Sequence, residues 1–194
     1  FSTHDQSFQH FGLTSIKLVA IFFMIVSGIN FALHFSVLKR RNPFLYLADA
    51  EVRAYFLVLL LISLFLIAVF QLRESDSDAD YIDHLFQAVS FATTTGFVSS
   101  EIYLWPPIAQ VILIFAAFAG GCAGSTAGGI KIIRVLTFWR QGAREIKRLV
   151  HPNGVFLVKV GGRPVSEPVL NSIWSFISVY IFLFFFSIVL IMTV

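Results

Sequence analysis

The stretch Ser90-Phe91-Ala92-Thr93-Thr94-Thr95-Gly96-Phe97 decides how the chain is read, because it closes a segment that is apolar yet too short to cross a membrane. Residues 81–95 are apolar at Leu85, Phe86, Ala88, Val89, Phe91 and Ala92, whereas a helix needs roughly 20 residues to cross a hydrocarbon core about 30 Å thick. The pattern predicts a helix only as far as the threonines. Stretches that are long enough flank it on both sides: 54–72 before it and 102–130 after it, with 11–38 and 168–194 further out.

Of the 194 residues, 57% are hydrophobic, 13% are charged and 23 are phenylalanine, more apolar surface than a water-soluble domain hides. The bilayer is therefore the natural solvent. The chain opens on Phe1 and closes on Val194 inside an apolar run, and no signal-like segment precedes its first span, so it reads as an internal piece of a longer protein. Its one cysteine, Cys122, leaves no partner for an intrachain disulfide and no cysteine cluster for a metal.

The net charge of +3 is less informative than its distribution. Twelve of the fourteen basic residues lie in two connections: Lys39, Arg40, Arg41 and Arg53 in one, and eight within 131–163 in the other. The positive-inside rule assigns both to the cytoplasm. Residues 73–83 carry Glu74, Asp76, Asp78, Asp80 and Asp83 against one arginine, which suits the outer side. If 54–72 ends outside and 102–130 starts there, residues 81–97 must dip into the membrane and return. Irregular backbone at that depth is tolerated only when buried in protein or lining a water-filled cavity, so the threonine-glycine stretch is expected to face a pore. The competing reading is an amphipathic helix lying in the interface.

A cation entering a narrow pore must shed water, and backbone carbonyls can replace that shell if the chain runs extended. In Thr93-Thr94-Thr95-Gly96-Phe97 the glycine allows dihedrals closed to other residues, and threonine adds hydroxyl acceptors. Phe97, Phe86, Val89 and Phe91 are expected to pack behind this stretch. Asp83 is expected as a helix-capping or mouth charge rather than a direct ion ligand, and His84 as a polar interfacial residue rather than a proton relay. Lys17 is expected to snorkel outward.

A second unusual stretch, Gly120-Gly121-Cys122-Ala123-Gly124-Ser125-Thr126-Ala127-Gly128-Gly129, holds five glycines in ten residues. Each costs a helix about 0.5–1 kcal/mol relative to alanine, so the span should break here, about 20 Å beyond Pro107. A polar loop at that depth could occlude a pore and move aside. Close helix packing through small residues is the alternative, and it accounts poorly for Ser125 and Thr126. Lys131 follows at once, with snorkelling or a polar contact to the loop as its two roles; Cys122 reads as a packing residue. Residues 131–163 continue with Phe138-Trp139-Arg140, then Arg144-Glu145-Ile146-Lys147-Arg148, and a strand-like 155–160. That basic cluster suits anionic lipid, a soluble partner, or orientation alone. A faint repeat also exists: an offset of 96 places Gly28-Ile29-Asn30 on Gly124-Ser125-Thr126 and Phe1-Ser2 on Phe97-Val98.

Ser90 through Phe97 resembles the third pore loop of the Trk/Ktr/HKT potassium transporters, and Gly120 through Lys131, GGCAGSTAGGIK, resembles that family's intramembrane gating loop. Phe1-Ser2-Thr3-His4-Asp5 looks like the tail of its second pore loop, Gly28-Ile29-Asn30-Phe31 fits the following span, and His151-Pro152 through Gly161-Gly162-Arg163-Pro164 is closer to the TrkH branch than to KtrB. The resemblance implies an all-α membrane protein of span-pore-span repeats, here a fragment with about four transmembrane spans and one re-entrant pore loop. The implied division is 1–53 for the end of the second pore loop, its following span and a cytoplasmic connection; 54–139 for a complete third repeat; 140–167 for a second connection; and 168–194 for the first span of the fourth repeat. Within the third repeat, 54–72 is the first span, 81–97 the pore helix and filter, and 102–139 a broken second span with its gate loop at 120–129.

The implied function is potassium uptake through a channel-like pore of modest selectivity, in a multi-pass protein of the bacterial inner membrane. Thr93, Thr94, Thr95, Gly96 and Phe97 would form the filter, with potassium held through Thr94, Thr95 and Gly96. Gly120, Gly121, Cys122, Gly124, Ser125, Thr126, Gly128, Gly129 and Lys131 would form the gate. No cofactor beyond the transported ion and no nucleic acid is expected; a homodimer and a cytosolic nucleotide-binding regulatory subunit of the TrkA type are. An alternating-access carrier for K+ with H+ or Na+, using the broken span as its binding site, is the alternative, followed by a membrane scaffold. An enzyme is disfavoured, since no nucleophile-base or metal spacing is recognisable.

Overall fold

In the computed structural model, residues 7–73 and 80–193 are described. The Phe1-Ser2-Thr3-His4-Asp5 segment, and Glu74, Asp76 and Asp78 of the acidic connection, lie outside the described residues. The chain divides into two units, Phe1–Ile132 and Ile133–Val194.

In the first unit the 11–38 stretch, one apolar run in the sequence, is divided between two helices. It forms α1 (Thr14–Ser27) and α2 (Phe31–Arg40), bent by 93° at Gly28-Ile29-Asn30. The bend is held by contacts that a hydropathy scan does not weigh. Asn30 caps α2 by accepting from the Ala32 N–H at 2.8 Å. Gly28 lies so close to Tyr55 that a Cβ there would stand 2.3 Å from the phenol oxygen. His34 fastens the corner, one ring nitrogen on the Tyr46 hydroxyl at 2.7 Å and the other on Val26 O at 2.9 Å.

After α3 (Phe44–Ala48), α4 (Ala50–Arg73) is a continuous span. The Asp49 carboxylate starts it, accepting from Glu51 and Val52 N–H at 2.8 and 3.1 Å. Val52, Tyr55, Leu59, Ser63, Leu66 and Phe70 are buried, a stripe at intervals of three and four that faces the core, while Phe56, Leu57, Leu60, Leu61 and Leu64 point away. Helix α5 (Tyr81–Ala92) stops before the threonines and packs against α1, α4 and α6 (Pro107–Ala119). Eight of its 12 residues are buried. Phe86, Val89 and Ala92 join Tyr55, Leu59 and Met24 in one cluster, and Ala88 joins Leu66, Phe70, Trp105 and Leu113 in another. The third apolar stretch enters its helix only at Pro107: Ile102–Leu104 form a single 3-10 turn, and Pro106-Pro107 supply no amide to a helix further upstream.

The second unit consists of α7 (Ile132–Val150, whose first residue belongs to the first unit), a short hairpin and α8 (Glu167–Met192). Helix α7 runs unbroken through the 139/140 boundary drawn from the sequence, where polarity rises but nothing stops a helix. The strand expected over 155–160 shrinks to β1 (Lys159–Val160), paired with β2 (Arg163–Pro164) around Gly161 and Gly162, both with positive φ. One further bond, Val165 N–H to Val158 O at 2.9 Å, continues the ladder. Residues 155–157 make no backbone hydrogen bond with a described residue and remain outside it. Helices α7 and α8 lie antiparallel, with Arg134 over the Phe176 ring at 4.1 Å, Phe138 against Trp174 at 4.4 Å and Arg144 paired with Glu167 at 2.6 Å.

Because the Phe86 ring is fully buried where α5 meets α1 and α4, Phe86→Ala should cost about 3–5 kcal/mol. A thermal melt of the full-length protein in detergent should register this as a clear fall in midpoint.

Candidate functional site

Helix α5 delivers the threonine stretch and then stops for reasons written in its own residues. Asp80 caps its start, accepting from the Tyr81 N–H at 2.7 Å. At its end the Thr93 hydroxyl turns back onto Val89 O at 2.7 Å and lies 2.8 Å from the Thr95 hydroxyl. Thr94 takes a φ of 54° and Gly96 a φ of 81°, so the backbone reverses twice within three residues. The Thr95 N–H returns to Ser90 O at 2.9 Å, and the Ser90 hydroxyl donates to Phe97 O at 2.7 Å. Beyond Gly96 the chain is pinned to residues preceding α1: the Val98 N–H donates to Ser7 Oγ at 3.2 Å, Phe8 N–H to Val98 O at 2.9 Å, and the Phe97 ring lies 4.8 Å from that of Phe8. Among the described residues none donates a hydrogen bond to the carbonyls of Thr93, Thr94, Thr95 or Gly96. Phe97 differs from these four, since one lone pair of its carbonyl is committed to Ser90.

The glycine-rich residues 120–129 leave the helical path at Gly120 and resume it at α7. Gly120 has a φ of 67°, and a Cβ there would stand 2.2 Å from Gly128 O, so the two limbs of the loop close on a site only glycine fits. The limbs are tied by Ile130 N–H to Phe118 O at 2.8 Å and Ile132 N–H to Gly121 O at 3.1 Å. The bend between α1 and α2 supplies the loop's outer partners. Cys122 N–H donates to Gly28 O at 2.9 Å, Phe31 N–H to Gly124 O at 3.1 Å, and the Thr126 hydroxyl to Ser27 O at 3.2 Å. Glu51, in the first turn of α4, accepts from Ala123 N–H at 2.6 Å. Lys131 does not reach for the membrane surface; its ammonium donates to Ala127 O inside the loop. Cys122 is fully buried.

The two predicted stretches meet directly. Gly128 N–H donates to the Thr94 hydroxyl at 2.6 Å, placing the loop against the threonine turn. Sequence reasoning assigned no role to Ser27, Glu51 or Ser90. The offset of 96 that aligned Gly28-Ile29-Asn30 with Gly124-Ser125-Thr126 was the one signal that could have flagged the first, because both triplets lie in helix breaks that bond to each other. Glu51 is a carboxylate beginning an apolar helix, which a capping argument absorbs without further inquiry.

At the start of α5 the structure corrects two expectations. Lys17 does not snorkel outward but pairs with Asp83 at 2.6 Å, tying α1 to α5 while Asp80 does the capping. His84 is not interfacial: it is buried, stacked on Phe70 with ring centroids 4.0 Å apart and met edge-on by Trp105 at 5.3 Å. An imidazole between two aromatic rings behaves as a core side chain.

All 194 residues match the family described as TrkH, cation transport protein. The chain belongs to that family. Over 189 residues it is 42% identical to the Trk system potassium uptake protein TrkH of Escherichia coli (strain K12), covering 96% of this chain and 39% of that protein. It is 36% identical over 192 residues to the Trk system potassium uptake protein TrkG of the same strain, covering 98% and 40%. The crystal structure of the potassium transporter TrkH from Vibrio parahaemolyticus superposes with a TM-score of 0.89 at 40% identity, covering 95% of this chain and 40% of that one. The chain thus spans about two fifths of the length of the curated relatives it matches. TrkH-family proteins are transporters rather than enzymes, and with its apolar helices this chain is part of a multi-pass protein of the bacterial inner membrane.

The Lys17–Asp83 pair is 16% and 10% exposed on its two side chains. Lys17→Met or Asp83→Leu alone should lose about 3 kcal/mol by stranding a charge, whereas the double variant should recover most of that loss. Additive losses in a denaturation double-mutant cycle would show that the contact carries no coupling.

Proposed function

We propose that this chain carries one pore loop and one gate of a potassium uptake channel in the bacterial inner membrane. The observation that carries the reading is the run of carbonyls from Thr93 to Gly96, none of which accepts a bond from a described residue, beside a Phe97 carbonyl that does. Oxygens left unpaired at membrane depth are costly unless an ion or water takes the place of a donor. The α5 dipole aids the same task, since its C-terminal end, carrying partial negative charge, is directed at the threonine turn. Thr93, Thr94, Thr95 and Gly96 then supply oxygens and Phe97 the wall. One glycine in the stretch, rather than two, leaves fewer stacked sites and fits modest selectivity.

Residues 120–129 act as the gate on this reading. They lie against Thr94 and, apart from the buried Cys122 and Ala127, are held by hydrogen bonds that can be exchanged. The names of the relatives, Trk system potassium uptake proteins, support potassium as the cargo. A closed ring of carbonyls calls for further pore loops of the same kind around the axis, and the resemblance supports a homodimer with a cytosolic nucleotide-binding regulatory subunit of the TrkA type.

A bent helix pair meeting a glycine-rich break at one place is also the geometry of alternating-access carriers, whose substrates sit at such breaks. Here many of the polar groups at the breaks are already bonded to each other, which leaves a substrate little to hold. Removing several residues of 120–129 should raise ion flux if the loop is a gate and abolish it if the loop is a binding site. Gly96→Ser in the full-length protein should reduce the preference for potassium over sodium by about tenfold, equivalent to about 1.4 kcal/mol, measured as flux into proteoliposomes. An unchanged ratio would overturn the filter assignment.

A further inference from the structure

The second unit holds an open cleft of about 560 Å3 between α7 and the segment 155–159 leading into the hairpin, lined by Arg140, Arg144, Lys147 and Lys159 together with Phe156 and Val158. Arg144 is buried and already committed to Glu167 and Glu145, at 2.6 and 2.9 Å. Arg140 reaches the carbonyl of Lys159, which braces the strand against the helix. The ammonium groups of Lys147 and Lys159 are exposed and have no partner among the described residues. Eight lysines and arginines stand in residues 131–163 against one acid, Glu145, so no carboxylate remains in the segment to neutralise them.

The depth of the cleft follows from the α7–α8 pairing. Glu167, the first residue of the apolar α8, marks the entry into the membrane, and Arg144 is bonded to it. Phe138 meets Trp174, so α7 runs from the membrane outward as α8 runs inward. At 1.5 Å per residue Arg140 lies roughly 6 Å inward of Arg144 and Lys147 roughly 5 Å outward, so the cleft covers about the thickness of a headgroup layer. Apolar side chains stand free at the same levels: Trp139 is 77% exposed and Val155 91% exposed, with Ile146, Leu149 and Leu157 also outward. A tryptophan at the boundary and apolar groups beside lysines are what an interfacial segment requires.

We propose that this cleft binds the phosphate of an anionic phospholipid of the cytoplasmic leaflet. Lys147 and Lys159 hold the phosphate oxygens, Arg140 adds its remaining N–H donors, and Trp139, Val155 and Leu157 lie along the glycerol and upper acyl region. A soluble anion leaves the apolar groups in water, whereas a lipid covers both. The assignment concerns orientation and anchoring at the membrane surface and does not depend on which ion permeates.

The test is lipid retention by the full-length protein, titrated in mild detergent with phosphatidylglycerol or phosphatidylcholine and read by native mass spectrometry. Phosphatidylglycerol should be retained at about tenfold lower concentration than phosphatidylcholine. Lys147→Gln/Lys159→Gln should abolish that preference, Lys147→Arg/Lys159→Arg should keep it, and Arg148→Gln, outside the cleft, should leave it unchanged. Three results would each overturn the proposal: a preference that survives in the Gln double variant, displacement of the lipid by millimolar inorganic phosphate, or a double variant that loses binding to a cytosolic protein while its lipid preference stays intact.

Discussion

An amide without a partner costs several kcal/mol inside a hydrocarbon layer, and two of this chain's apolar stretches leave the helix, at 28–30 and at 120–131. The two interruptions satisfy each other. Cys122 N–H and Gly28 O, Phe31 N–H and Gly124 O, and Thr126 and Ser27 O exchange the bonds that an intact helix would have made internally. Neither break is stable on its own in lipid, so each presupposes the other. The rest of the first unit is arranged to keep them in register: Tyr55 fills the space beside Gly28 and donates to Ile25 O at 3.1 Å, and Glu51 holds Ala123 from the start of α4. The faint repeat at an offset of 96 thereby acquires a physical meaning, since it aligns two non-helical stretches that bond to each other.

The threonine turn follows a different logic. The Thr93 hydroxyl is bonded back to Val89, the Thr95 amide to Ser90 and the Ser90 hydroxyl to Phe97, whereas the carbonyls of Thr93 to Gly96 accept no bond from any described residue. The backbone is therefore rigid in position and unsatisfied in one direction only. Burial of α5 on most sides supplies the rigidity, and the Lys17–Asp83 pair fixes the opposite end of the helix. A flexible loop with the same sequence would fold its oxygens back onto its own amides.

Much of this was legible in the sequence, for reasons that can be named. The end of α5 at the threonines, the start of α6 at Pro107 and its end at Gly120 follow from β-branched, proline and glycine residues acting on their immediate neighbours, and α8 follows from length and hydropathy. The bend at Gly28-Ile29-Asn30 was not legible, because one glycine and one asparagine in an apolar run cost too little to break a helix; the 93° turn depends on bonds to residues almost a hundred positions away. Lys17 and His84 were misplaced for a related reason. Hydropathy assigns a lone polar residue to the nearest water, whereas Lys17 found a carboxylate on another helix and His84 found two aromatic faces.

On the proposed reading the bond from Gly128 N–H to the Thr94 hydroxyl has a consequence for how such a pore opens. The Thr94 backbone belongs to the carbonyl run and its hydroxyl accepts from the glycine-rich loop, so one residue serves both elements. Moving the loop aside releases that hydroxyl, and Thr94, held at a φ of 54°, then loses one of the contacts that stabilise a sparsely populated conformation. The closed loop therefore supports the geometry of the oxygens above it, and opening exchanges that support for contacts with water or the ion. Gate and filter are then two ends of one hydrogen-bonded unit, and a change that loosens the first also alters the second.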